Sequence, residues 1–207
     1  MSAFKNNTLP DLAFVDVETT GLEDTKHCVI EVAVTRVHHN PANWDKPIDK
    51  LCYRFRPTEA DMAVSEPKAF EKNGFRTDHP DWAEAPLRNT PAAREAWSHV
   101  VSITRGAALV SQNVPFDRGF MWQELLGRDL LYNDPKRGLL PPWAHRFIDI
   151  QSYSYLIAEQ AGMIVWGLHD VYAALQLPPL TEHRAEADVL RGMAVMKHVF
   201  GRFITGY

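Results

Sequence analysis

The sequence predicts an α/β fold built on a mixed five-stranded sheet, three strands antiparallel and two parallel, with helices on both faces. Three observations carry this. Residues 12–17 form an apolar run rich in β-branched and aromatic side chains, the composition of a buried strand. Residues 27–39 and 51–56 read as two further strands, joined by HNPANWDKPIDK, whose prolines and asparagines suit a long hairpin loop. After Pro57 the apolar spacing turns helical, and from Ala107 strand, loop and helix alternate, which requires parallel strands with helices packed across the sheet.

Taken in order, residues 1–10 are a polar lead-in, and the first strand runs into Thr19, Thr20 and Gly21, a turn in which Gly21 supplies unusual backbone. Ser65 before Glu66 and Pro67 marks one helix start and Thr90 before Pro91 another, with NGFRTDHPDWAEAP as the loop between them. The helix over residues 91–103 sets Ala93, Ala96, Trp97, Val100 and Val101 at core spacing. Residues 107–110 form a short strand, and SQNVPFDRGF turns into a helix carrying Phe120, Met121, Leu125 and Leu126. A Gly- and Pro-rich connection over 138–143 leads to a last strand over 145–150, then to helices over 151–160, 168–175 and 184–203.

The 207 residues suffice for one domain, 1–207, with a sizeable core. There is no run of roughly 20 apolar residues of the kind that spans a membrane, and the N-terminus lacks the pattern of a signal peptide, so the expected location is the cytoplasm. Cys28 and Cys52 read as buried free thiols rather than a disulfide or metal site. A formal net charge of -4 excludes a global basic footprint for coating duplex DNA, so any contact with nucleic acid is local.

Chemistry enters where two acids interrupt the first strand. Asp16 and Glu18 are two residues apart and therefore share a face. Burying both costs several kcal/mol each without compensation, and no Lys or Arg lies between Lys5 and Lys26. Two readings follow from this stretch alone: a site for a hard divalent cation, or a strand that has reached water. Asp117 at a helix start is either a site acid or a favourable partner of the helix dipole. Asp188 lies beside apolar positions of the last helix, and a lone acid there is ordinarily solvated. His183 precedes Asp188 by five residues, about 500 degrees of helix, so the two meet at one site only if His183 sits on the loop before the helix. There it has the near-neutral titration a general base needs; otherwise it is a surface histidine. His38 and His39 read as exposed, Arg54 with Arg56 and Lys136 with Arg137 as phosphate contacts or plain surface charge, and Asp149 as structural.

In order and with their neighbours, these residues resemble the DEDD superfamily of 3′ to 5′ exonucleases in its histidine-bearing branch, the group of the proofreading epsilon subunit and of oligoribonuclease and RNase T-type nucleases. The motifs are DVETTGL at residues 16–22, NVPFD at 113–117 and HRAEAD at 183–188, and the likeness spans residues 11–203. Gln112 is a departure, since many relatives carry His there. The resemblance implies an RNase H-like fold. It also implies that Asp16, Glu18 and Asp188 ligate metal, that Asp117 completes the site directly or through water, and that His183 deprotonates the attacking water. The implied cofactors are two Mg²⁺ or Mn²⁺ ions about 3.5 to 4 Å apart, which acids suit better than they suit zinc. The implied partner is the 3′ end of single-stranded or frayed DNA or RNA, contacted by Thr19, Thr20, Gly21, Leu22, Asn113 and Phe116. Leu22 would wedge against the terminal base, and Phe116 either stacks on a base or belongs to the core. A second copy or a polymerase assembly is the protein partner this likeness suggests, and the alternative reading is an end-binding subunit without turnover.

Overall fold

The computed structural model of the chain describes residues 9–74, 79–160, 162, 167–178 and 184–205. Its main sheet has the five strands expected: β1 (Leu12–Thr19), β2 (Val29–Val37), β3 (Asp49–Arg54), β4 (Ala108–Ser111) and a short strand Phe147–Asp149. A separate hairpin, β5 (Tyr132–Asp134) with β6 (Gly138–Leu140), precedes that short strand, which is therefore β7. The sheet order is β3-β2-β1-β4-β7, with β1 antiparallel to β2, β2 to β3, and β4 parallel to both β1 and β7. Strand β1 is thus central.

Alternation along β1 divides the core into two. Ala13, Val15 and Val17 face a cluster built on Phe55, Trp97, Val100, Phe120 and Leu125. These come largely from α3 (Pro91–Thr104) and α4 (Val114–Gly127). Leu12 and Phe14 face the other cluster, with Trp44, Ile150, Val171, Val189 and Met196. That side is covered by α5 (Ile150–Gln160), α6 (Leu168–Ala174) and α7 (Ala185–Thr205). Each fully buried Phe or Leu contributes roughly 1.5–3 kcal/mol. The stripe Leu12, Phe14, Asp16, Glu18 therefore begins in an apolar core and ends in two acids beneath α7.

Two small helices, α1 (Glu59–Val64) and α2 (Pro67–Asn73), lie between β3 and α3. Thr58 and Asp61 form a capping box that starts α1, while Ser65, expected to start a helix, is the C-cap of α1, and Glu66 precedes α2 without a side-chain cap. Thr90 caps α3 as expected. The second strand starts later than expected, leaving His27 and Cys28 ahead of it, and Cys52 on β3 is half-buried rather than buried. Arg54 and Arg56 are more than plain surface charge. Arg54 pairs with Glu31 and Asp81, and the Arg56 Nε donates to the Ala85 carbonyl at 2.8 Å.

One buried ion cluster ties the first helices to the sheet. Glu124, 2% exposed, accepts from Arg88 Nη2 at 2.9 Å, from Arg128 and from the Val29 amide at 3.1 Å. Arg88 also donates to Asp61 at 2.9 Å. Truncating Glu124 to Ala leaves the Arg128 guanidinium without a carboxylate and Arg88 with Asp61 alone, so the unfolding free energy falls by about 3 kcal/mol, visible as a lower urea midpoint.

Candidate active site

The end of β1, the first turn of α4 and the start of α7 converge on one cavity of about 800 Å³. One carboxylate oxygen each from Asp16, Glu18 and Asp188 lies within 4.8 Å of the others. Strand alternation presents the first two to the face that α7 covers. Gly192, one turn after Asp188, lets α7 settle against the start of α5, since a Cβ there would approach Ile150 Cδ1 to 2.8 Å.

Asp117 is more than a favourable charge at a helix start. Its side chain is buried, 3% exposed, and its Oδ1 accepts the Val17 amide at 3.0 Å, joining α4 to β1 between the two strand acids. Asp149 supports it structurally by accepting the Val114 amide at 3.1 Å and the Ser152 amide at 3.0 Å, which matches the structural reading.

The electrostatics are those of crowded anions. Burial, then repulsion from Asp117, Asp188, Glu18 and Glu31, raises the Asp16 carboxyl well above its ordinary value. Burial and the neighbouring Asp188 push Glu18 up to about 7, with Lys72 pulling the other way. Burial lifts Asp117 to about 7 against the hydrogen bond from Val17. Arg191 offsets part of this charge by pairing with Asp188, and His169 Nε2 stands 3.6 Å from the same carboxylate. A hard divalent cation would relieve the rest. The converging donors are carboxylate oxygens, the ligand type Mg²⁺ and Mn²⁺ prefer, so these residues fit such an ion.

The turn after β1 is shaped by tight packing. Gly21 is needed because the His27 ring would lie 2.6 Å from any Cβ, not because its backbone is unusual. Among the expected substrate contacts, Thr19, Gly21, Leu22, Asn113 and Phe116 line the cavity. Leu22 is 72% exposed, and Phe116 both lines the cavity and packs on Phe120 with ring centroids 4.8 Å apart. Thr20 is different: its hydroxyl is fully buried and accepts the Cys28 amide at 3.0 Å, so its part is to hold the turn. His183 lies outside the described residues.

Several residues at this site escape a reading of the sequence. Glu31, across from Glu18 on β2, is 1% exposed and held by Arg54 at 3.3 Å and Arg184 at 3.4 Å. His169 and Lys72 come from short helices whose placement depends on tertiary packing.

The family model described as RNase_T, exonuclease, matches residues 13–196. The chain belongs to this exonuclease family. The likeness to DEDD exonucleases read from the three motifs is thereby borne out. Solved structures of similar fold include a zinc-bound Escherichia coli exonuclease I in complex with single-stranded DNA, 20% identical, covering 94% of this chain and 41% of that one at a TM-score of 0.70. E. coli exonuclease I in complex with a dT13 oligonucleotide is 18% identical, with 94% and 42% covered and a TM-score of 0.70. A moderately thermophilic exonuclease I from Methylocaldum szegediense is 20% identical, with 95% and 42% covered and a TM-score of 0.69. The fold of this exonuclease-family chain is accordingly RNase H-like. It spans about two fifths of the length of these solved chains. No curated protein matches it by sequence. Among the described residues no helix is long and apolar enough to cross a membrane.

Proposed function

We propose that the chain is a metal-dependent exonuclease that hydrolyses the terminal phosphodiester of single-stranded or frayed nucleic acid in the 3′ to 5′ direction, releasing nucleoside 5′-monophosphates. The observation that carries this is the meeting of Asp16, Glu18 and Asp188 within 4.8 Å in an open cavity of an exonuclease-family chain.

Asp16, Glu18 and Asp188, with Asp117 completing the set, would hold two Mg²⁺ or Mn²⁺ ions, which would supply Lewis-acid polarisation of the phosphate and relief of its charge. The protein's own residues do the rest. His183 takes the proton from the attacking water, and Asp117 keeps β1 and α4 in register through its bond to Val17. Leu22 and Phe116 receive the terminal base, while the Thr19–Gly21 turn and Asn113 frame the sugar and its 3′-hydroxyl.

The reading is tested with matched DNA and RNA oligonucleotides incubated with Mg²⁺ or Mn²⁺, the released mononucleotides being identified by mass spectrometry. Nucleoside 5′-monophosphates are the expected product on at least one polymer. Retention of a 3′-ended oligonucleotide with no metal-dependent release would instead favour an end-binding subunit without turnover.

A further inference from the structure

The cavity is an unusual place to bind a polyanion. Among the described residues six carboxylates line it, the four proposed site acids together with Glu66 and Asp170. Among the described lining residues the lysines and arginines number two, Lys68 and Lys72, and both belong to α2. Four residues advance about 6 Å along a helix and return nearly to the same face, so the two ammonium groups form a short track on the scale of one nucleotide repeat.

That track is rigidly mounted. The Glu66 amide donates to the Thr20 carbonyl at 2.8 Å at one end of α2, and Asn73 Nδ2 donates to the Thr19 carbonyl at 3.3 Å at the other. Phe70 anchors the inner face, 7% exposed, in a small cluster with Cys28, Ile30 and Ala85. His27 closes the corner. Its Nδ1 accepts the Glu23 amide at 3.0 Å, so Nε2 carries the proton and donates to the Val64 carbonyl at 3.1 Å. The turn that holds Gly21 and Leu22 and the helix that holds the lysines are thus one unit. Lys72 is close enough to the clustered acids for its charge to be felt by Glu18.

Resting on the nuclease reading above, we infer that Lys68 and Lys72 form a phosphate track that seats the linkages on the 5′ side of the scissile one, with the backbone along α2 and the bases turned toward Leu22 and Phe116. In a cavity whose other carboxylate, lysine and arginine lining, among the described residues, is all acid, this wall is where a strand's phosphates are attracted, and it gives the strand a direction. The lysines act on substrate binding; the hydrolytic step belongs to the acids and His183.

The test compares the full chain with Lys68→Gln/Lys72→Gln, both exposed positions that do not threaten folding. Binding of a fluorescent single-stranded oligonucleotide is followed in Ca²⁺ over a salt series, alongside kcat and KM in Mn²⁺. A second oligonucleotide carries one uncharged methylphosphonate immediately 5′ of the terminal linkage. The expected result is a KM and a Kd raised about tenfold or more with kcat nearly unchanged, and a salt slope shallower by about 0.7 per lysine. The neutral linkage weakens wild type about tenfold and the variant less than about twofold, because the group it would have met is gone. Equal salt slopes, or an equal penalty from the neutral linkage in both proteins, would overturn the track. So would absence of oligonucleotide binding by wild type. Binding that shows these differences without any turnover would sink the nuclease reading and leave the lysine track standing.

Discussion

Asp16→Asn lowers kcat/KM on a single-stranded oligonucleotide by about 10³-fold or more, a loss of about 4 kcal/mol of transition-state stabilisation. Asp16 lies two residues before Glu18 on the same face of β1, and its carboxyl feels four anionic neighbours, Asp117, Asp188, Glu18 and Glu31. Removing its charge takes away a ligand oxygen at the point where metal charge must be focused. The same substitution relieves repulsion in the metal-free protein, so Asp16→Asn keeps its fold and melts at or above the temperature of wild type in EDTA. A variant that loses activity because it has unfolded, or one that cleaves within tenfold of wild type, would remove Asp16 from the site.

In EDTA, the thermal midpoint of the wild-type protein falls as pH rises from about 4.5 to about 7.5. The sign follows from which state holds more protons. Glu18 rises from an ordinary 4.5 to about 7 in the folded chain, and Asp117 from 3.8 to about 7. Between the ordinary and raised values the folded state is the more protonated, so stability is fully present below the ordinary value and is lost as pH climbs through the raised one. One such carboxyl is worth on the order of 3 kcal/mol over the window, which for a chain of this size corresponds to a shift of several degrees. Asp11 works the other way, lowered by its pairing with Arg36, but it is a surface pair of small weight. Millimolar Mg²⁺ or Mn²⁺ at pH 8 restores the midpoint by replacing protons with cation charge at the clustered acids. A midpoint that climbs steadily through this range in EDTA, or one indifferent to divalent metal at pH 8, would contradict the electrostatic account of the site.

Much of this was legible in residue order. Strand alternation alone put Asp16 and Glu18 on one face, while the layer they point into emerged only with α7 packed over Leu12 and Phe14. The three antiparallel and two parallel strands followed from turn chemistry and the change of apolar period. Elements with little buried surface left no such trace. Helix α1 buries none of its residues, and the β5-β6 hairpin is exposed along most of its length, so neither writes an apolar period. Gly21 shows a different limit. A turn glycine suggests special backbone, whereas here the constraint is the ring of His27, brought close by the loop that follows. Glu31 was hidden for the opposite reason: a charged residue in an apolar strand has meaning only once Arg54 and Arg184, distant in sequence, are seen to hold it.

The most direct measurement of the central claim follows one oligonucleotide labelled at either end, incubated with wild-type protein and Mn²⁺. The account predicts that the 5′-labelled strand shortens through a ladder of single-nucleotide steps, that the 3′-labelled strand yields labelled mononucleotide at once, and that EDTA stops both. Internal fragments from the first cut, mononucleotide released first from the 5′ end, or intact DNA and RNA after prolonged incubation would contradict it.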